Sequence, residues 1–441
     1  MLWFDTEDYI DPASDDAALR IANDLSSMRV QATFKIVGEK ARVLEARHRT
    51  DVIAALSKHA IGFHSNWHSL HPTPAEYLRM FGYLEGADEF ERREGPGAAD
   101  IKRIFGVTPT CYGQPGVSWG PQANLALRRM GIPVYLDEGE QVGLNEQPFW
   151  YGGLLYVFHM GSNEFRAELN AGAEDQSAYK RFDQTVEKLQ SDGGGVISMY
   201  YHPTEFIHTE FWDAVNFSRG AMPPRDAWIL PKRRSPEDAE RCFGVLHKFV
   251  EHMKQTPNVE FLTARDVLTI YDGQVPARID TRVVGEHLNR GITFLDTGSV
   301  SLSPADMVLQ LLHVNDQVVD GPTQAGSTTV KNEVIDRQLF ERTKRDVADF
   351  IQRNHRLPSE VFVGAQTLSL ADFTATLAQD TLDPASNVRV TQGQIKFDRH
   401  FATDPKGSFK WPIHPADFSA PELLELARLQ GWTLKPAKLR K

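Results

Sequence analysis

Cysteine is nearly absent. Cys111 and Cys242 are the only two in 441 residues, so there is no disulfide framework and no Cys-x-x-Cys zinc pair. A bound metal is left to histidine and carboxylate ligands. Long apolar runs are missing too, and nothing approaches the roughly 20 residues of a membrane-spanning helix. Positive charge is in deficit, with a formal net charge of −11, whereas a protein that tracks nucleic-acid phosphates needs a basic footprint. The short basic runs Lys232-Arg233-Arg234 and Lys438 to Lys441 read as solvated surface. Met1 to Asp5 leave no room for a leader, which makes the chain as written cytoplasmic, or extracytoplasmic if the true start lies upstream.

What is present is the composition of an enzyme-sized globular protein, 41% hydrophobic and 24% charged, with length for two or three domains. From residue 1 to about 272, short apolar runs alternate with helical spacing, the pattern of an α/β architecture. Expected strands are Leu2 to Phe4, Ala32 to Val37, Ile61 to Phe63, Pro133 to Leu136, Leu154 to Phe158, Val196 to Tyr200 and Glu260 to Leu262. Expected helices are Asp16 to Met28, Pro74 to Phe81, Pro121 to Met130, Tyr179 to Gln190 and Pro236 to Lys254. A closed or nearly closed (β/α) barrel of about seven strands accommodates this count. Residues 273–441 read as a second, mainly helical region. It carries an internal echo, Leu302-Ser303-Pro304-Ala305-Asp306 and Leu368-Ser369-Leu370-Ala371-Asp372. Ser303 and Ser369 are natural N-caps there, and the echo suggests a duplicated module.

Four segments carry chemistry. His64-Ser65-Asn66-Trp67-His68 follows an apolar run; histidines four apart on a helix or turn share a face, close enough to grip one divalent ion. His71 is a third imidazole nearby. Asp5-Thr6-Glu7-Asp8 crowds three carboxyl groups at the end of the first strand. Strand alternation puts Asp5 and Glu7 on one face, and a cation relieves their repulsion. His202 stands where the run Val196 to Tyr201 ends, a candidate acid or base with Glu205 near enough to tune it. Asp137, after Val134-Tyr135-Leu136, is a weaker fourth member. Finally, the loop Cys111 to Gly120 mixes glycine, proline and aromatics; its backbone N–H groups near Gly116 can face a developing oxyanion while Trp119 walls the pocket.

In this order, Asp-x-Glu-Asp, His-Ser-x-x-His, a Pro-Gly loop and Tyr-His-Pro-x-Glu, residues 1 to about 270 resemble the polysaccharide deacetylases of the NodB-homology type, carbohydrate esterase family four. The resemblance implies a distorted (β/α) barrel and a metal-dependent hydrolase acting on N-acetylated sugars. It matches Asp5 to the catalytic base, His202 to the general acid, and His64 and His68 to the metal histidines, with Glu7 or Asp8 as the metal carboxylate and Glu7 favoured by its face. The ion would be zinc, with cobalt, nickel or manganese also compatible with imidazole and carboxylate. One departure stands out: Gly113 occupies the place of the arginine that orients the base in that family, and Gln114 is a neutral candidate to substitute. The Tyr-His-Pro-x-Glu ending looks like a bacterial exopolysaccharide-associated branch. Residues Val347 to Ala378 look like a pseudomurein-binding repeat, which implies a cell-wall or glycan-holding module.

The leading expectation is therefore a carbohydrate N-deacetylase with Gln114, Gly116, Trp119, Asp137 and Glu205 around the substrate. Two rivals keep part of it: an amidase or imidase acting on a small non-sugar substrate, and a non-catalytic glycan binder.

Overall fold

A computed structural model describes residues 1–171, 176–275, 278–331 and 334–440; Lys441 of the last basic run lies outside them. It is a mixed α/β structure built on one nine-stranded sheet. Eight strands come from the first part of the chain: β1 (Leu2–Thr6), β2 (Thr33–Ile36), β3 (Ala60–Phe63), β4 (Cys111–Tyr112), β5 (Val134–Leu136), β6 (Phe149–Tyr151), β7 (Leu154–Val157) and β8 (Met199–Tyr201). Seven of them are parallel, in the order β8, β1, β2, β3, β4, β5, β7. Strand β6 returns antiparallel on β7, and Lys435–Pro436 adds an antiparallel ninth strand beyond β6. A single parallel bridge, Glu164 with Ser198, lies between the chain following β7 and the start of β8.

Alternation divides the strands between two apolar clusters. Phe4 and Phe34 stack at 4.8 Å in a cluster with Ile21, Leu25, Leu44 and Leu56 of the covering helices. Trp3, Cys111, Val134, Leu136, Leu155 and Val157 form the other. In register, Trp3 faces Thr33 and Asp5 faces Lys35 across the β1–β2 ladder.

Glu260 to Leu262 is not a strand; its residues join no ladder. The helix Tyr83–Phe105 is the largest element absent from the sequence expectations, because Gly95-Pro96-Gly97 interrupts its middle. That interruption has a purpose in packing. A Cβ on Gly97 would lie 2.8 Å from Asn66 Cα, so glycine lets the helix close on the loop that carries His64 and His68. Among the basic residues expected at the surface, Arg234 is covered, donating to the Glu205 carbonyl at 2.9 Å and to Asp238 at 2.7 Å.

Beyond Asp272 the chain twice runs helix, hairpin, helix. Thr281–Arg290 precedes Leu295–Asp296 paired with Ser301–Leu302 and then Pro304–Leu311; Arg337–Asn354 precedes Glu360–Val363 paired with Gln366–Ser369 and then Leu370–Leu382. Ser303 and Ser369 cap the second helix of each unit, accepting from the N–H of Asp306 and Asp372. No helix among the described residues is long and apolar enough to cross a membrane.

Candidate active site

The chemistry-bearing side chains sit at the carboxyl ends of the parallel strands, where chain leaving the sheet can converge on one point. Glu7 follows β1, and His64 follows β3. His68 is reached through a turn in which Ser65 and His68 both adopt positive φ, 62° and 56°, with Ser65 Oγ accepting the His68 N–H at 2.9 Å. Helix Tyr83–Phe105 braces this turn from behind, Glu94 accepting the Asn66 N–H at 2.6 Å.

Glu7 Oε2 stands 2.8 Å from His68 Nε2 and 3.5 Å from His64 Nε2. The outer nitrogens are occupied elsewhere: His64 Nδ1 faces the Gly113 carbonyl at 3.1 Å and His68 Nδ1 faces Ser69 Oγ at 2.5 Å. Ser69 in turn donates to Asp213 at 3.2 Å, and Trp212 Nε1 donates to Glu7 Oε1 at 3.1 Å. Both Nε2 atoms thereby face one carboxylate oxygen, the arrangement that outer hydrogen bonds impose on metal-binding imidazoles. The three donor atoms lie within 4.8 Å of one another. The donor set fits a divalent ion. Burial alone would raise the Glu7 carboxyl, but His68 and His202 outweigh it and hold it well below the usual carboxylate range. Burial lowers His64, whereas at His68 the nearby Glu7 carboxylate outweighs burial and raises it.

Asp8 does not join this set. Its Oδ1 accepts the N–H groups of Ile10 and Asp11 at 3.0 and 3.1 Å, and its Oδ2 accepts from Thr204 at 3.3 Å. His71 is taken up by Glu76 at 2.7 Å.

Asp5 lies beside the three-ligand cluster, its Oδ1 3.5 Å from His64 Nδ1 and its Oδ2 3.7 Å from His202 Nε2. Burial raises its carboxyl, yet His64, Lys35 and His202 together outweigh it, so Asp5 is held below its ordinary value. The cation that meets it comes from β2: Lys35 Nζ is 2.9 Å from Asp5 Oδ1 and 2.5 Å from Asp137 Oδ2. Asp137 is thus part of the site, through Lys35.

His202, just past β8, is clamped from outside. Its Nδ1 is 2.8 Å from Glu205 Oε1, and Arg166 holds the same carboxylate at 2.9 and 3.0 Å. Burial disfavours the imidazolium, but Glu7 and Glu205 more than compensate and push its pKa up to about 9.

These groups open into a cleft of about 580 Å³. Trp119 lands outside the cleft, and Gln114 lines it without reaching Asp5. Trp119 is fully buried and stacks on Tyr151 at 6.4 Å rather than walling the cleft. Gln114 serves the loop, donating to the carbonyls of Gly116 and Glu138 at 3.1 and 2.8 Å, and does not reach Asp5 as a donor. The indole on the cleft wall is Trp411, edge-on to His68 at 5.8 Å. It arrives with Gly407, Ser408, Lys410 and Pro412 from the C-terminal part of the chain, beyond the reach of any local pattern. Lys35 was also missed, although a lysine inside the apolar run Ala32 to Val37 was the available signal.

No family model and no curated relative matches the chain. Solved structures do. A Mycobacterium smegmatis protein described as a polysaccharide deacetylase is 15% identical with a TM-score of 0.38, covering 61% of this chain and 88% of its own. The Puue allantoinase is 13% identical with a TM-score of 0.36, covering 57% and 71%. A family 4 carbohydrate esterase from Streptomyces lividans in complex with acetate is 15% identical with a TM-score of 0.27, covering 46% and 77%. At TM-scores this low the functional reading rests on the site itself.

Proposed function

We propose that this chain is a metal-dependent hydrolase that removes N-acetyl groups from amino sugars. The observation that carries it is the placement of a buried carboxylate, Asp5, and a half-buried imidazole, His202, beside a Glu-His-His cluster in one open cleft. Glu7, His64 and His68 would hold the ion, zinc or one of cobalt, nickel and manganese. A divalent ion there would supply Lewis acidity that polarises an amide carbonyl and acidifies water.

The chain's own groups perform the proton traffic. Asp5 accepts the proton of the attacking water at Oδ2, since Lys35 stands 2.9 Å from its Oδ1. Backbone N–H groups of the loop around Gly116 face the oxyanion as the acetyl carbon becomes tetrahedral. His202, charged at neutral pH, gives its proton to the departing amine, and Glu205 with Arg166 keeps its ring aimed at the cleft. General acid and base steps of this kind each contribute about 10²–10⁴-fold.

Tyr200, Phe211 and Trp411 supply aromatic surface suited to a pyranose ring, and cleft size suits one or two sugar units. The walling of the cleft by Trp411 also favours a second reading, an amidase on a small non-sugar amide. We further propose that residues 1–272 act as a distorted (β/α) barrel and that 273–441 hold a glycan or cell-wall polymer. The groove of about 540 Å³ around Phe350, Val361 and Phe362 is where such a polymer would lie. Acetate release from N-acetylated chitooligosaccharides, set against release from small amides and repeated after chelation, tests the proposal. Hydrolysis confined to the small amides selects the second reading, and turnover unchanged by complete demetallation rejects both.

A further inference from the structure

Lys35 is fully buried in the middle of β2, directly across the ladder from Asp5. Its ammonium is surrounded by three oxygens: Asp137 Oδ2 at 2.5 Å, Leu136 O at 2.9 Å and Asp5 Oδ1 at 2.9 Å. The Trp3 ring lies beneath it, 4.0 Å from Nζ. Two glycines clear its path. A Cβ on Gly62 would sit 2.9 Å from Lys35 Cγ, and one on Gly113 would sit 2.2 Å from Nζ and 2.1 Å from Asp137 Oδ2. Neither glycine has positive φ; Gly113 leaves room for the lysine and Asp137, and Gly62 leaves room for the lysine and for Cys111 Sγ, 2.6 Å from the same Cβ.

Asp5, His64 and Asp137 also place donor atoms within 4.8 Å of one another. Two buried carboxylates so near would otherwise share a proton or draw in a cation. Lysine answers this as a compact charge with three donors.

We infer that Lys35 is a positioning residue whose ammonium fills the Asp5–Asp137 side of the cleft, aims Asp5 as proton acceptor, and confines a divalent ion to Glu7, His64 and His68. It touches no substrate and acts through Asp5. The inference rests on the deacetylase reading only in making Asp5 the base; the placement of the ion is independent of it. It also explains Gly113: the orienting cation comes from β2, and a side chain at 113 would collide with it.

The wild-type protein is crystallised with zinc, and anomalous scattering locates the ion. A peak at Glu7, His64 and His68 with none between Asp5 and Asp137 supports the assignment, and an ion between those two carboxylates overturns it. Zinc affinity is then measured by chelator competition in Lys35→Met and in the near-isosteric, neutral Lys35→Gln. Loss of a neighbouring positive charge tightens zinc by about tenfold or admits a second ion, while kcat for acetate release falls about 10²-fold with KM little changed. A merely structural lysine would weaken zinc binding and turnover together. Zinc binding unchanged or weaker in both variants, or an unchanged kcat, therefore overturns the assignment. Tighter zinc in variants of a wild type that releases no acetate supports it and rejects the deacetylase reading alone.

Discussion

His202 Nδ1 lies 2.8 Å from Glu205 Oε1, so one ring nitrogen is committed to a carboxylate while the other, 3.7 Å from Asp5 Oδ2, faces the cleft. The ring is thereby kept charged. Burial lowers its affinity for a proton, but Glu7 and Glu205 raise it to about 9. A group that must donate a proton loses activity as pH rises through that value. Glu205→Gln removes one supporting charge, so the alkaline limb of the kcat profile moves down toward the ordinary imidazole value of about 6.5. The rate at pH 8 falls while the rate at pH 6 is little changed. A limb that stays in place in the variant removes Glu205 from the role given it here.

Removal of the ion and removal of the base should separate. His64→Ala and His68→Ala are expected to lose bound metal by elemental analysis and to lose turnover with it. Asp5→Asn keeps the metal and loses about 10²–10⁴-fold in kcat. Chelation of the wild type should also lower its melting temperature, because an ion that binds only the folded state stabilises it by about 2.7 kcal/mol at a hundred times its dissociation constant.

Gly116 and Trp411 are mutually dependent. Gly116 has φ of 51°, and a Cβ there would stand 2.3 Å from Trp411 Cε2. Gly116→Ala is expected to displace the indole and raise KM about tenfold, equivalent to about 1.4 kcal/mol of binding. Trp411→Ala should raise KM with kcat nearly preserved, since Trp411 supplies binding surface rather than proton transfer. Steady-state kinetics on one short oligosaccharide checks both; a Trp411→Ala enzyme with normal KM removes the indole from the substrate's path.

The brace behind the His64–His68 turn should show in the pH dependence of stability. Burial raises the Glu94 carboxyl from 4.5 to about 7, against the smaller opposing pull of the Asn66 N–H, Tyr77 and Arg93. The folded state therefore holds a proton that the unfolded chain releases between those values. Stability from this group is complete below about pH 4.5 and is lost as pH rises toward 7, by on the order of 3 kcal/mol. Glu94→Gln removes that slope, which urea unfolding at pH 5 and pH 8 would measure. An equal slope in the variant means Glu94 is ionised in the folded protein.

Much of the site was legible because its chemistry is local. His64 and His68 are four residues apart, Asp5 and Glu7 alternate on one strand, and Glu205 is three residues from His202. Spacing of that kind survives folding, because strand and turn geometry act over the same few residues. Alternation favours Glu7 over Asp8, and in the structure Glu7 lies beside His64 and His68 while Asp8 accepts the N–H groups of Ile10 and Asp11. Elements failed where a local signal misled. Gly95-Pro96-Gly97 reads as a break yet lies inside a 23-residue helix, where packing on Asn66 requires glycine at 97. Trp119 sits in a glycine-rich loop and reads as a wall of the pocket, but core burial claims it.

The sequence by itself determined the ligand chemistry. With two cysteines and a pair of histidines four apart, any bound metal is left to imidazole and carboxylate, and the alternating apolar runs required an α/β frame. Only the tertiary structure decided which cation faces Asp5 and which indole walls the cleft. Lys35 meets Asp137 across 102 residues of chain, and Trp411 reaches His68 from the opposite end of the protein. Contacts like these depend on strand order and on the return of the chain to the sheet at Lys435–Pro436, and no local periodicity encodes them.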